Sequence, residues 1–152
     1  MFRSSASRSR MALVAVLSLQ STIGREFAVH TADRAIRDAS RRRVQESLAW
    51  ARRIGAAFLI LHSTHLPMIN EARYDRQWLS GWLDFLGRQD FGDVTVVLEN
   101  MWDRTPDLMV RLVEEFGSPR LRLCLDVAHW NVYGAVSPVS EARSALERPA
   151  AD

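Results

Sequence analysis

Four short apolar segments recur along the chain: Ala12–Leu19, Ala57–Leu61, Val94–Leu98 and Leu121–Leu125. None alternates polar with apolar residues. A near-continuous apolar run of this length is the pattern of a strand buried on both faces of a parallel sheet. Between the runs the period changes to that of a helix. From Ala32 to Ile54, Ile36, Val44, Leu48 and Ala51 fall on one side, while Arg34, Arg37, Arg41 and Arg52 fall largely elsewhere. Gly55 follows as a stop. A second helix is expected over Asp75 to Leu86, with Trp78, Leu79, Trp82, Leu83 and Leu86 at helical spacing. Its two tryptophans read as core packing rather than as a platform for stacked bases. A third helix begins at Thr105-Pro106-Asp107, an N-cap residue followed by proline at the first helical position. It carries Leu108, Val110, Leu112, Val113 and Phe116 and stops at Gly117.

Strand, helix, strand, helix, repeated, means βα units with right-handed crossovers and a parallel sheet. The fold class is therefore α/β, with about four parallel βα units. A small doubly wound sheet is the alternative, but no Gly-rich phosphate loop follows the first strand, and Gly24 stands alone there. Residues 137–152 are rich in Ala, Ser, Arg and Pro; they hold no further strand, and one more helix over Ser140–Leu146 is the most they would add.

Composition changes this picture little. The chain has 152 residues, 47% hydrophobic and 25% charged, enough for one domain with its own core. Charge is more telling in its distribution than in its sum of +2. Residues 1–53 hold 11 Arg against 4 acids and residues 54–152 hold 9 Arg against 14 acids. A basic leading third faces either nucleic acid or, as the plainer reading, only solvent. The single cysteine, Cys124, excludes an intrachain disulfide, fits a reducing cytoplasm and reads as a small buried hydrophobe rather than a nucleophile. No apolar run approaches the roughly 20 residues of a membrane span. The opening MFRSSASRSRMALVAVLSLQ has the outline of a signal peptide but no convincing cleavage site, so Ala12–Leu19 is read as a strand behind a disordered extension, residues 1–11.

Candidate chemistry gathers at the strand ends. In parallel sheets and barrels, functional groups sit where the strands' C-terminal ends meet the βα loops. Gln20 follows the first run, His62 the second with His65 just beyond, Glu99 the third with Asn100 next, and Asp126 the fourth with His129 three residues on. Each alone has a bland reading: a structural histidine, a carboxylate that caps a helix. Together they converge on one rim, where several carboxylates are costly unless a cation neutralises them. Mixed nitrogen and oxygen donors suit Zn²⁺ or Mn²⁺, and Mg²⁺ if carboxylates dominate.

The runs FLILHS, VVLEN and LCLDVAHWNVYG, with the segment HTADRAIRDASRRRVQESLAWARRIGA, resemble the xylose isomerase-like TIM-barrel superfamily, which includes sugar and sugar-phosphate isomerases and epimerases and endonuclease IV. The resemblance covers about residues 12–136. It implies a partial (β/α)8 TIM barrel, because an eight-stranded barrel takes about 250 residues and four strands are legible here. By the same resemblance Glu99 and Asp126 would be carboxylate ligands of a divalent metal. His129 would bind a metal or substrate, and His62 would ligate metal in the endonuclease branch. Glu99 and His129 are the expected catalytic groups, and Gln20, His65, Asn100 and Trp130 the expected substrate contacts. Gln20 stands where many relatives carry a histidine, which weakens the nuclease reading, since Gln is a poor replacement for a zinc imidazole.

The expected function is metal-dependent isomerisation or epimerisation of a sugar or sugar phosphate in the cytoplasm, weak or absent in the truncated chain alone. The alternatives are an endonuclease IV-like enzyme cleaving phosphodiesters at abasic DNA, and a non-catalytic barrel remnant needing a partner half. An open sheet edge beyond Leu121–Leu125 further implies self-association or a partner that supplies the rest of the barrel.

Overall fold

The computed structural model describes residues 28–66 and 72–134 and the backbone of residues 14–16. Gln20, Gly24, the leading residues 1–11 and the expected Ser140–Leu146 helix lie outside the described residues. Four strands and four helices alternate: β1 Val14–Val16, α1 Arg34–Ile54, β2 Phe58–His62, α2 Ala72–Leu86, β3 Thr95–Glu99, α3 Asp107–Phe116, β4 Leu121–Cys124 and α4 Val127–Tyr133. The strands form one sheet in chain order, each parallel to the next. This is the arrangement of successive βα units in a partial TIM barrel.

The core lies between the sheet and the helices. Leu59 and Leu61 of β2, Val96 and Leu98 of β3 and Leu121 of β4 are buried with Val44, Leu48 and Ala51 of α1, Trp78, Trp82 and Phe85 of α2, and Leu112 of α3. Both tryptophans are core residues, 0% and 2% exposed. Each fully buried side chain of this size stabilises by roughly 1.5–3 kcal/mol relative to exposure. The opposite face of the sheet is not buried in the same way. Along β2, Phe58, Ile60 and His62 alternate with the buried leucines, and along β3 Thr95, Val97 and Glu99 do the same. The continuous apolar pattern thus predicts burial on both faces, whereas in this chain one face is packed and the other half-exposed. In the fourth run Leu123 and Leu125, at 36% and 53% exposure, depart from the expected buried strand. The reason is lateral: β4 ends the sheet, so nothing in the described chain lies against its outer side.

Helix ends follow their local chemistry with one exception. The Asp33 carboxylate accepts the Ile36 N–H at 3.0 Å and caps α1, and Gly55 ends it at φ 72°. Only a residue without a Cβ adopts that left-handed conformation without strain. At α3 the expected Thr105 cap is displaced by one residue. Pro106 holds the N-cap position, and the Thr105 hydroxyl donates to the Asp107 side chain at 3.0 Å instead. On α1, Ile36 is 39% exposed rather than packed, because it lies in the first turn, short of the sheet that covers Val44 and Leu48.

Among the described residues no helix is long and apolar enough to cross a membrane. Several arginines of α1 are engaged locally: Arg34 with Asp38, Arg41 with Asp84 of α2, and Arg52 with Asp90.

Candidate functional site

The parallel register decides which polar groups meet. β2 and β3 pair with His62 opposite Glu99, and β3 and β4 pair with Glu99 opposite Cys124. Alternation then places His62 and Glu99 on the half-exposed face, and their side chains touch, Nε2 to Oε2, at 3.2 Å. Both are about one-fifth exposed, so the pair is reachable by a ligand yet partly shielded from bulk water. Cys124 stands beside them. Burial first, then the nearby Glu99 and Asp126 carboxylates, push its thiol above the ordinary range, so it stays protonated and unreactive.

Past Cys124 the chain stops being a strand. Asp126 takes extended backbone angles and caps α4, its Oδ1 accepting the Ala128 N–H at 2.7 Å and the His129 N–H at 2.9 Å. The backbone N–H of His129 is the main force holding the Asp126 carboxyl below its usual pKa. Ala128 N–H and the imidazoles of His129 and His62 add to it, and partial burial opposes it. The polar pair that follows the fourth apolar run is therefore the start of a short helix, and that helix turns His129 back over the strand ends. Its ring lies 6.1 Å from that of His62, edge to face.

Asn100 ties the two strand ends together. It is fully buried, accepts the Asp126 N–H at 2.6 Å and donates to the Asp126 carbonyl at 3.0 Å. Its own carbonyl faces Nδ1 of His129 at 3.0 Å. Trp130 is buried as well, at 4% exposure. A Cβ on Gly134 would approach its ring within 2.6 Å, so the chain folds closely over this indole.

His65, three residues from His62, goes elsewhere. Thr64 between them has φ 54°, a left-handed conformation that β-branched residues rarely adopt. The turn carries His65 toward α2, where Nε2 meets Asp75 at 3.0 Å and the ring stands edge-on to Trp78. There it borders a separate polar cleft of about 290 Å³, lined also by Asp103, Arg104 and Arg111. Sequence reasoning missed the support beneath this loop. Buried Ser63 donates its hydroxyl to buried Asp103 at 2.5 Å, the Met101 N–H reaches the same oxygen at 2.9 Å, and the Trp78 indole donates to the Ser63 carbonyl. No local pattern marks Ser63 or Asp103, since their partners lie about 40 residues apart.

The structure thus brings His62, Glu99, Asp126 and His129 to one end of the sheet, buries Asn100 and Trp130 behind them, and sets His65 apart. Nitrogen and carboxylate donors of this kind suit a divalent ion. Their arrangement is nonetheless two pairs rather than a cage. Among the described residues no three His, Cys, Asp or Glu side chains are grouped to hold a metal ion. Glu99 is turned onto His62, and one oxygen of Asp126 is taken up by the cap.

A family model described as xylose isomerase-like TIM barrel matches residues 2–150. Among solved structures, a xylose isomerase domain protein from Planctomyces limnophilus superposes with a TM-score of 0.57 at 21% identity, over 72% of this chain and 39% of that one. An L-ribulose 3-epimerase superposes with a TM-score of 0.56 at 17% identity, over 70% of this chain and 39% of that one. The chain therefore spans about two-fifths of the length of these two structures. A comparison with curated proteins gave no match.

Proposed function

We propose, from the premise that this chain belongs to the xylose isomerase-like TIM barrel family, that it is the proton-transfer portion of a sugar or sugar-phosphate isomerase or epimerase. The observation that carries this reading is the His62–Glu99 pair, 3.2 Å apart on the accessible face, with His129 beside it. An α-hydroxy carbonyl sugar isomerises when a base takes the proton from the carbon next to the carbonyl. The C–H electron pair moves into a carbon–carbon double bond, and the carbonyl oxygen takes up negative charge. Glu99 is the base in this scheme, and His62, 3.2 Å away, orients its carboxylate. His129, beside this pair, accepts a hydrogen bond from a substrate hydroxyl and so holds the sugar over Glu99. Return of the proton to the former carbonyl carbon gives the isomer, as the adjacent hydroxyl becomes the new carbonyl and its proton passes to the oxyanion. Return to the other face of the original carbon, with the first carbonyl re-formed, gives the epimer.

A divalent ion would supply charge stabilisation at the two substrate oxygens. Glu99 and Asp126 are the carboxylates of this chain suited to such an ion, but the described residues do not assemble a complete set around one. On this reading the other ligands come from outside the described residues, and slow turnover is expected from this chain alone. The nuclease alternative draws on the Arg-rich first third, yet three arginines of α1 have their charge partly offset by Asp38, Asp84 and Asp90.

The test is solvent exchange. The purified chain is incubated in D₂O with a panel of ketoses, aldoses and their phosphates, with and without Mn²⁺, Mg²⁺ or Zn²⁺. Deuterium entering the carbon next to the carbonyl is followed by NMR. Exchange is expected, and Glu99→Gln should lower it by about 10²–10⁴-fold, the usual worth of a general base. No exchange with any member of the panel would sink the enzyme reading in favour of a non-catalytic barrel remnant.

A further inference from the structure

We infer that Asn100 is a positioning residue which fixes His129 as its Nδ1–H tautomer, leaving the Nε2 lone pair as the group offered at the rim. Asn100 has no exposed surface, so it is not placed to touch a substrate. Its side chain instead does the work of a further rung of sheet. The β3–β4 register ends at Glu99 opposite Cys124. One residue beyond, the Asn100 amide accepts the Asp126 N–H at 2.6 Å and donates to the Asp126 carbonyl at 3.0 Å. Both polar groups of the Asp126 peptide are thus held by one amide whose donor and acceptor match them.

That clamp fixes the residue that starts α4. The Asp126 carboxylate accepts the Ala128 and His129 N–H groups, so the first turn of α4, and His129 on it, is set relative to β3. His129 Nδ1 then faces the Asn100 carbonyl oxygen at 3.0 Å, with the Asp126 Oδ2 further off at 3.7 Å. Both neighbours only accept, so Nδ1 must carry the hydrogen. In a neutral imidazole the other nitrogen is then an acceptor. No hydrogen bond engages His129 Nε2 among the described residues, and the ring is about one-third exposed. His129 therefore receives a hydrogen bond from a substrate hydroxyl, or gives its lone pair to a cation. It does not donate to a carbonyl in its neutral form. The catalytic meaning of that lone pair rests on the function proposed above; the tautomer does not.

The experiment is a two-bond ¹H–¹⁵N correlation on the whole chain with ¹⁵N-labelled histidine, at about pH 8, above the ordinary imidazole range. Only four histidines contribute, and His129→Gln identifies the signal. The wild-type chain should show His129 as a single Nδ1–H tautomer. Asn100→Ala should lose that single form and give the mixture of an unrestrained imidazole. Asn100→Asp, which keeps the acceptor but removes the donor to the Asp126 carbonyl, should move the same way. Leu98→Ala, a core cavity that spares the amide, should leave the tautomer intact. A wild-type Nε2–H tautomer, or an unchanged tautomer in both Asn100 variants, overturns the inference, as does an equal change in Leu98→Ala. Failure of turnover would count against the proposed function alone, because this readout needs no substrate.

Discussion

His62 and Glu99 sit directly opposite each other on adjacent parallel strands, and their side chains close to 3.2 Å on the face the helices leave uncovered. The sequence puts each at a strand end, with a helix and two loops between them, but does not show that they touch. The pairing follows from register alone.

An energetic coupling between them is therefore expected. In a double-mutant cycle with His62→Gln, Glu99→Gln and the double variant, the losses in unfolding free energy should fail to add by roughly 0.5–3 kcal/mol. Urea denaturation measures this directly. Additivity within about 0.5 kcal/mol would mean the contact is not formed in solution.

Asp126 predicts an acid limb. Its carboxyl is held below the usual value chiefly by the His129 N–H, so the folded chain binds that proton less readily than the unfolded chain. Stability from this group is present above about pH 3.9, the ordinary carboxyl value, and is lost as pH falls through the lower folded pKa. Asp126→Asn should keep the cap and flatten the acid limb of a Tm-versus-pH curve. Asp126→Ala should lower Tm at neutral pH as well, because two N–H groups lose their acceptor.

His30 predicts a second limb at higher pH. It is buried at 5% exposure, its Nε2 meets the Tyr74 hydroxyl at 3.1 Å, and its Nδ1 finds no hydrogen-bond partner among the described residues. Burial, helped by His65, lowers its pKa from 6.5 to about 4. Between those values the unfolded chain takes up the proton and the folded chain does not. Stability is thus complete above about 6.5 and falls as pH drops toward 4, by roughly 3 kcal/mol at most. His30→Phe should remove this slope in denaturation curves taken across the interval; an unchanged slope would assign it to other groups.

Gly81 should not tolerate even alanine. It lies within α2, where Gly to Ala ordinarily adds about 1 kcal/mol of helix stability. Here a Cβ would stand 2.6 Å from the Cα and Cβ of His30, on a segment fastened to α2 by Gln77 and Arg41. Gly81→Ala is expected to cost roughly 1–3 kcal/mol, as overpacking does, with a lower Tm as the readout. A gain would show that the 28–31 segment does not lie on α2 in solution.

Much of the fold was legible locally. The four apolar runs, the helical periods of α1 and α2, the tryptophan core and the glycine stops at Gly55 and Gly117 all depend on residues within a turn or two of one another. The convergence of His62, Glu99, Asp126 and His129 was also readable, because successive parallel strands must deliver their C-terminal ends to one edge. His65 was grouped with them on sequence proximity, but the left-handed turn at Thr64 and the pull of Asp75 take it away.

Asn100 shows the boundary most clearly. Beside Glu99 in sequence it reads as another rim group, and only the placement of β4 against β3 turns it inward to hold Asp126 and His129. The sequence by itself determined which segments are strand or helix and which residues end them, because backbone sterics and the period of apolar side chains act over short spans. The tertiary structure decided which polar groups become partners and which face of the sheet is covered. Those outcomes depend on lateral register between segments some 25–40 residues apart, and parallel strands joined by long crossovers have no tight turn to fix that register locally.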